Sequence, residues 1–332
     1  MMSTAKVALI AAAGFILTGL LTGCGPGGGI LIRPVSTNQA LAETVVEKDS
    51  GLVWDKIAII DVDGMILDAR ETGLFGSGEN PTSLFVEKLK KARDDSNVKA
   101  VVLRINSPGG GVTASNIMYQ ELLRFRKIKK VPVIAVIEDI GASGGYYLAC
   151  GSDEIIADKT SLVGSIGVIV QTISLSGTMQ KLGIDAHAVV SGPYKDMASP
   201  LKPLDANDRV LLQSIVDDFY DRFVTVVDDG RSNLGRAQVK ELADGRIYTS
   251  DQALAKGLID GQGTAFDAVR LAKQRAKLAK VKVVMYHRPL GYRGSVYAAS
   301  PQIPAFSLRD LSAADMAYFC RPQFMYLWTG RE

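Results

Sequence analysis

Ala100-Val101-Val102-Leu103-Arg104-Ile105 runs straight into Asn106-Ser107-Pro108-Gly109-Gly110-Gly111, and from Val112 to Lys130 apolar residues recur at Ile117, Met118, Leu122 and Phe125. A short β-branched run, a glycine turn and a helical period in that order describe a buried strand feeding a helix. The unit recurs on both sides. Upstream, Ile57-Ala58-Ile59-Ile60-Asp61-Val62 reads as a strand, and Pro81 to Asp95 as an amphipathic helix with Asn80 as N-cap and Pro81 at its first position. Downstream, Val131-Pro132-Val133-Ile134-Ala135-Val136-Ile137 is a third apolar run, its early proline acceptable at a strand start. Continuous apolar strands separated by helices predict an α/β protein with a mostly parallel sheet covered on both faces.

Farther along, Glu154 to Ala157 and Ile184 to Val190 read as short strands, and Asp205 to Asp229 as a long helix with an apolar stripe through Val210, Ile215, Phe219 and Phe223. Helices over Ala237–Ala243, Asp251–Lys256 and Ala265–Lys280 and a closing strand over Val281–Tyr286 complete the pattern. Residues 288–332, rich in Pro, Tyr and Phe, show no clear period and read as an irregular tail free to pack on a neighbour.

The chain has 332 residues, 47% hydrophobic and 22% charged, enough for a substantial core without covalent staples. Its 38 basic and 35 acidic residues give a net charge of +3, far from the basic excess of a nucleic-acid binder. Two histidines, His187 and His287, and three unpaired-looking cysteines make no metal-ligand pattern. Cys150 is expected as a buried free thiol rather than half of a disulfide with Cys320.

The N-terminus reads as an address. Lys6 precedes an apolar run, Val7 to Leu21, too short for a confident span, and the run ends in Leu21-Thr22-Gly23-Cys24. This resembles the lipobox of bacterial lipoproteins, which implies cleavage before Cys24 and a lipid on its thiol. The organisation expected is a signal peptide over 1–23, a tether and extension over 24–55 beginning with Gly25-Pro26-Gly27-Gly28-Gly29, one domain over 56–287, and the tail.

Three glycine-bearing stretches carry the chemistry. Asn106 to Gly111 lets the backbone approach a ligand, yet has neither the spacing of a Walker motif nor that of a dinucleotide fingerprint. Gly141-Ala142-Ser143-Gly144-Gly145-Tyr146-Tyr147 places Ser143 at a strand-to-helix turn, as an exposed nucleophile or simply as a helix N-cap. Gly164-Ser165-Ile166-Gly167-Val168-Ile169 is small and apolar, suited to a cleft wall or an ordinary turn. A serine nucleophile needs a base. His187 would supply one only from within an apolar strand. A lysine would have to be desolvated to act as a neutral amine, and Lys195 follows a strand and a turn, with Lys159, Lys181 and Lys202 as rivals.

Taken together with Ser191-Gly192-Pro193-Tyr194-Lys195-Asp196, Ser199-Pro200, Asp244-Gly245-Arg246-Ile247-Tyr248 and Gly257-Leu258-Ile259-Asp260, these stretches resemble the signal peptide peptidase A family of serine–lysine peptidases from about Ile57 to Tyr286. The resemblance implies a Clp protease/crotonase-like fold, a repeated ββα superhelix with helices covering mostly parallel sheets. It implies Ser143 as nucleophile, Lys195 as general base, Ser165 holding the lysine amine, and the N–H groups of Gly110 and Gly144 as the oxyanion hole. No cofactor or metal is implied. Substrates would be released signal peptides and other exposed hydrophobic segments, cut by an enzyme tethered through Cys24 to the outer side of the cytoplasmic membrane in the cell envelope. Single-copy members form rings in which neighbouring protomers share each site, so a homo-oligomer is expected. The alternatives are a stomatin-partner-type membrane-protein protease and a non-catalytic crotonase-fold envelope lipoprotein that binds peptides.

Overall fold

The computed structural model describes residues 40–68, 72–73, 76–77, 79–288 and 323–329. The expectations placed on residues 1–39, Cys24 and the lipobox among them, and on Cys320 lie outside the described residues.

The elements in chain order are β1 (Ala42–Lys48), β2 (Lys56–Asp63), β3 (Thr72–Gly73), β4 (Gly76–Ser77), α1 (Pro81–Asp94), β5 (Val98–Ser107), β6 (Gly109–Gly111), α2 (Val112–Lys129), β7 (Val133–Ala142) and α3 (Gly144–Ala149). They continue with β8 (Glu154–Ala157), β9 (Leu162–Gly164), β10 (Ile169–Gln171), α4 (Ser176–Lys181), α5 (Ala206–Gly230), α6 (Arg236–Leu242), β11 (Ile247–Thr249), α7 (Ser250–Ala255), β12 (Gly261–Gln262), α8 (Ala265–Arg275), β13 (Lys282–His287) and β14 (Gln323–Leu327).

The main sheet runs β1-β13-β2-β5-β7-β8-β12, with β9 paired to the far end of β7 and β11 to β9. From β13 to β12 every neighbour along that path is parallel, and β1 closes one edge antiparallel. The fold is therefore the largely parallel α/β sheet flanked by helices that the apolar runs predict. Alternation along those runs splits the core in two. Ala58, Ile60, Leu103, Ile105, Ala135 and Ile137 face α1, α2 and α3, while Ile57, Ile59, Ala100, Val102, Ile134 and Val136 face α8. A strand buried on both sides has no polar face to show, which is why these runs look unbroken.

Most expected helices form within a residue or two; Asn80 caps α1 by accepting from the Ser83 N–H at 3.1 Å. Four segments differ. The helix from Ala265 stops at Arg275, because Lys277 turns left-handed (φ 55°). Residues 42–48, within the stretch read as an extension, form β1, because β13 offers an open edge to pair with. Ile184 to Val190 forms no strand: the run is largely apolar, but every residue in it is exposed and none finds a ladder partner among the described residues. Finally, the tail read as irregular contributes β14, the centre of a second sheet ordered β10-β14-β6. Its pairing partner is the glycine stretch itself, a contact between residues more than two hundred positions apart that no local pattern encodes.

Candidate active site

Parallel strands present their C-terminal ends at one rim, and β5 and β7 lie side by side there with Ser107 paired to Gly141. The glycine stretch after β5 and the serine turn after β7 are therefore adjacent because of the register of their strands. Ser107 anchors the first. Its hydroxyl donates to the Gly64 carbonyl (2.6 Å) and accepts from the Gly109 N–H (3.1 Å). Ile66 then brackets Gly110: the Ile66 N–H donates to the Gly109 carbonyl (2.8 Å) and the Gly111 N–H to the Ile66 carbonyl (2.9 Å). A side chain on Gly110 would overlap the Ile66 carbonyl, so the glycine is required by close approach.

Ser143 sits between β7 and α3 at φ 52°, ψ −116°, a strained conformation for a residue with a Cβ. Its N–H donates to the Gly164 carbonyl (2.7 Å), which ties the serine turn to β9. The helix-cap alternative is excluded, since the Ser143 side chain makes no capping hydrogen bond. Its Oγ is instead buried with no hydrogen-bond partner among the described residues, and the residue is 1% exposed. A strained backbone at a strand-to-helix turn and a hydroxyl unpaired among the described residues are what a serine nucleophile would need.

The amide of Gly144 is the next donor along. A Cβ built on Gly109 would come within 2.6 Å of that nitrogen, so the two glycine turns meet. The same Cβ would overlap the Tyr326 carbonyl oxygen of β14, and one on Gly144 would stand 3.2 Å from it. β14 pairs antiparallel with β6, Tyr326 opposite Gly110, and the Trp328 N–H donates to the Pro108 carbonyl (2.9 Å). Antiparallel alternation then makes Tyr326 and Gly110 the next hydrogen-bonded pair, with the Gly110 N–H facing the Tyr326 carbonyl. A main-chain carbonyl of the chain thus lies in the cradle of Gly110 and Gly144, where donors to a developing oxyanion belong.

Ser165 follows β9, also left-handed at φ 49°, and its N–H donates to the Arg246 carbonyl (2.8 Å). It is 6% exposed and lines a cavity of about 370 Å³ with Tyr220, Gly245 and Leu327.

Lys195 stands apart. It lies in a turn after the unpaired 184–190 run, exposed, and its ammonium has no hydrogen bond or ion pair among the described residues. Ser143, Ser165, Gly110 and Gly144 come together, while the Lys195 side chain is exposed and bonds to none of them. The rivals fare no better. Lys202 pairs with Asp196 (2.8 Å) and Asp208 (3.2 Å); the Asp196 hydrogen bond leads in raising its pKa, the reverse of what a base needs. Lys159 and Lys181 are exposed. His187 is exposed rather than set in a strand, and His287 is bonded to the Thr44 hydroxyl and the Arg288 carbonyl, both at 2.7 Å. Among the described residues no cluster could hold a metal ion, and no helix is long and apolar enough to cross a membrane.

Sequence reasoning missed Ser107, Ile66 and β14. Only Ser107 carried a local signal, one residue before a Pro-Gly turn.

Residues 125–282 match the family model Peptidase family S49. A protein of Enterococcus faecium named as a signal peptide peptidase SppA is 39% identical over 75% of this chain and 71% of its own length. Protease 4 of Haemophilus influenzae is 36% identical over 67% of this chain and 35% of its own, and a chloroplastic serine protease SPPA of Arabidopsis thaliana is 33% identical over 71% and 35%. A solved membrane-bound stomatin-specific protease is similar at a TM-score of 0.42 and 15% identity, covering 67% of this chain and 86% of that one. With the SppA relative matched along most of both chains, this chain belongs to peptidase family S49 and is a serine peptidase.

Proposed function

We propose that the chain is an endopeptidase in which Ser143 attacks a peptide carbonyl held by the N–H groups of Gly110 and Gly144, with Lys195 of a second copy as general base. The observation that carries this reading is the buried Ser143 hydroxyl, without a partner among the described residues, beside a cradle that already accommodates a peptide carbonyl. Attack forms the Oγ–carbonyl bond, the amide C–N bond breaks, and the lysine amine passes the serine proton to the departing amine. Water then releases the acyl group and restores the hydroxyl.

The lysine is given to a neighbour because its own segment is built for one. Ile173, Leu182, Ile184, Val189 and Tyr194 are all exposed along the arm that carries it, an apolar surface that a second copy would cover. Ser165 would then receive the incoming amine. The second sheet supports an extended substrate, since β14 lies as a strand between β6 and β10. Hydrophobic peptides, released signal peptides among them, suit that groove, and a lipid on Cys24 would hold the enzyme at the outer side of the cytoplasmic membrane in the cell envelope.

The test is a fluorophosphonate probe with the full chain. Ser143 should be labelled in the wild type and not in Lys195→Ala. Mixing Ser143→Ala with Lys195→Ala, each inactive alone, should restore about a quarter of the sites if copies exchange at random. Labelling untouched by Lys195→Ala would refute the lysine's role, and inactive mixtures despite exchange would refute sharing.

A further inference from the structure

Lys195 lies near the end of a stretch, residues 175–200, that is closed at its base. The Leu175 N–H donates to the Pro200 carbonyl (2.7 Å), and the Ser174 hydroxyl to the Lys202 carbonyl (3.0 Å). Overlapping turns carry the chain from Gly192 to that closure. The Lys195 N–H donates to the Gly192 carbonyl (3.1 Å), the Met197 N–H to the Tyr194 carbonyl (3.2 Å) and the Ser199 N–H to the Asp196 carbonyl (3.0 Å). Ala198, inside the last turn, is buried and left-handed at φ 56°. A residue with a Cβ keeps that conformation only where its surroundings hold it there.

The side chain that ties these turns to the helix beyond them is that of Lys202. Its ammonium meets Asp196 Oδ1 at 2.8 Å and Asp208 Oδ2 at 3.2 Å. Asp196 follows Lys195 directly, and Asp208 stands in the first turn of α5, its N–H donating to the Asp205 cap (2.8 Å). The Asp208 side chain is 1% exposed, and among the described residues its carboxylate makes no hydrogen bond and no other ion pair. An ion pair in water fixes little, but a pair with one member fully buried is expensive to break and so holds its geometry.

Resting on the assignment of Lys195 as general base, we propose that Lys202 is a positioning residue: by bridging Asp196 to Asp208 it fixes the turns that carry Lys195 to α5 and sets where the Lys195 amine reaches. The reference is rigid, because α5 sinks Phe223, Val224 and Val227 into the core with no exposure. Engaging Asp196 has a second effect. A free carboxylate beside Lys195 would attract its ammonium and draw it away from a serine. Lys202 therefore aims the base and keeps the adjoining carboxylate occupied.

Lys202→Met in the full chain keeps the side chain's length without its charge, and Lys202→Arg keeps both. For a quenched hydrophobic peptide, Lys202→Met should lower kcat about 10- to 100-fold while KM changes less than about threefold. Lys202→Arg should restore most of the loss. Hydrogen exchange at the Lys195, Met197 and Ser199 amides should quicken in Lys202→Met and not in Lys202→Arg, a readout independent of turnover. Should Lys202→Met fail to fold with Asp208 stranded, adding Asp208→Asn removes the buried charge and still leaves the bridge broken.

Mixed copies show whose lysine the bridge serves. Lys202→Met is placed in turn on each member of the Ser143→Ala and Lys195→Ala mixture. Cleavage should fall only when it sits on the Ser143→Ala copy, the one that lends its lysine. Equal falls with either placement, or an unchanged kcat in Lys202→Met while Lys195→Ala is inactive, would overturn the positioning role and leave the base standing. Full activity in Lys195→Ala would remove the base, and the role of Lys202 with it. If the parent mixture is inactive despite exchange, sharing alone falls, and kcat of Lys202→Met against Lys202→Arg decides for or against the bridge.

Discussion

Arg231 and Asp260 meet as a two-pronged pair, Nη1 to Oδ2 and Nη2 to Oδ1, both at 2.7 Å. The same carboxylate accepts from the Ile155 N–H at the start of β8 (2.8 Å), so one side chain joins the end of α5 to the main sheet. Next to it, the Leu258 carbonyl accepts from the Tyr146 hydroxyl (2.7 Å), which links this corner to the helix that follows Ser143. Arg231 is 3% exposed and the Asp260 side chain about a third exposed, so breaking the pair strands a buried guanidinium while water reaches its partner. Asp260→Asn should cost about 2–3 kcal/mol in urea unfolding, below the full value for an entirely buried pair.

The same pair sets an acid limb. Burial alone would raise the Asp260 pKa, but the Arg231 fork and the Ile155 N–H outweigh it and hold the carboxyl below its usual value. A carboxylate with a depressed folded pKa contributes stability that is whole above about pH 4 and drains away as pH falls through the folded value. Unfolding midpoints measured downward from pH 5 should therefore drop in the wild type, and the Asp260→Asn curve should be flatter over that range. Parallel curves would refute the linkage.

Gly144 tests the proposed oxyanion cradle without touching Ser143. A methyl there would overlap the Ser115 hydroxyl and approach Gly109 Cα and the Tyr326 carbonyl at 3.2 Å each. Gly144→Ala should push the amide out of line and lower kcat about 10²- to 10³-fold, with KM changing far less. A matching rise in KM at constant kcat would mean that the cradle binds the ground state only.

The sheet was legible because buried parallel strands write themselves as apolar runs, and the rim was legible because both Gly109-Gly110-Gly111 and Gly144-Gly145 follow such runs directly. The sequence-based choice between nucleophile and N-cap for Ser143 needed a backbone angle, φ 52°, that no residue type dictates. The run Ile184 to Val190 misled because its β-branched residues suit a strand by type, yet the whole run is exposed; burial decides, and burial is a tertiary property. β14 was hidden for the opposite reason. Gln323-Phe324-Met325-Tyr326-Leu327 has no polar alternation, and what makes it a strand is Gly109-Gly110-Gly111 on one side and Ile169-Val170-Gln171 on the other.

Cys150, at the end of α3, is buried and free among the described residues, which include neither Cys24 nor Cys320. Burial pushes its thiol up to about 12. Thiolate is the reactive form, so at pH 8 the folded protein should leave Cys150 unmodified by iodoacetamide while denaturation exposes it. Peptide mapping distinguishes it from Cys24 and Cys320, and rapid native labelling of Cys150 would show that the helix after Ser143 opens.

The proposed nucleophile should also be a stability defect. Ser143 keeps a hydroxyl out of water with no bonding partner among the described residues, and an unsatisfied buried polar group costs about 1–3 kcal/mol. Ser143→Ala removes that group and leaves the positive φ as it was, so the variant should lose cleavage entirely yet unfold about 1 kcal/mol later than the wild type, the usual exchange between a site's activity and its host's stability. If Lys195 of a second copy supplies the missing partner, the gain should be largest in dilute protein and shrink as concentration drives assembly, since the bond then forms in the wild type and not in the variant. Urea titrations at two protein concentrations distinguish these cases. A Ser143→Ala chain less stable than the wild type at both would mean that the hydroxyl is bonded within its own subunit, and the shared site would fall with it.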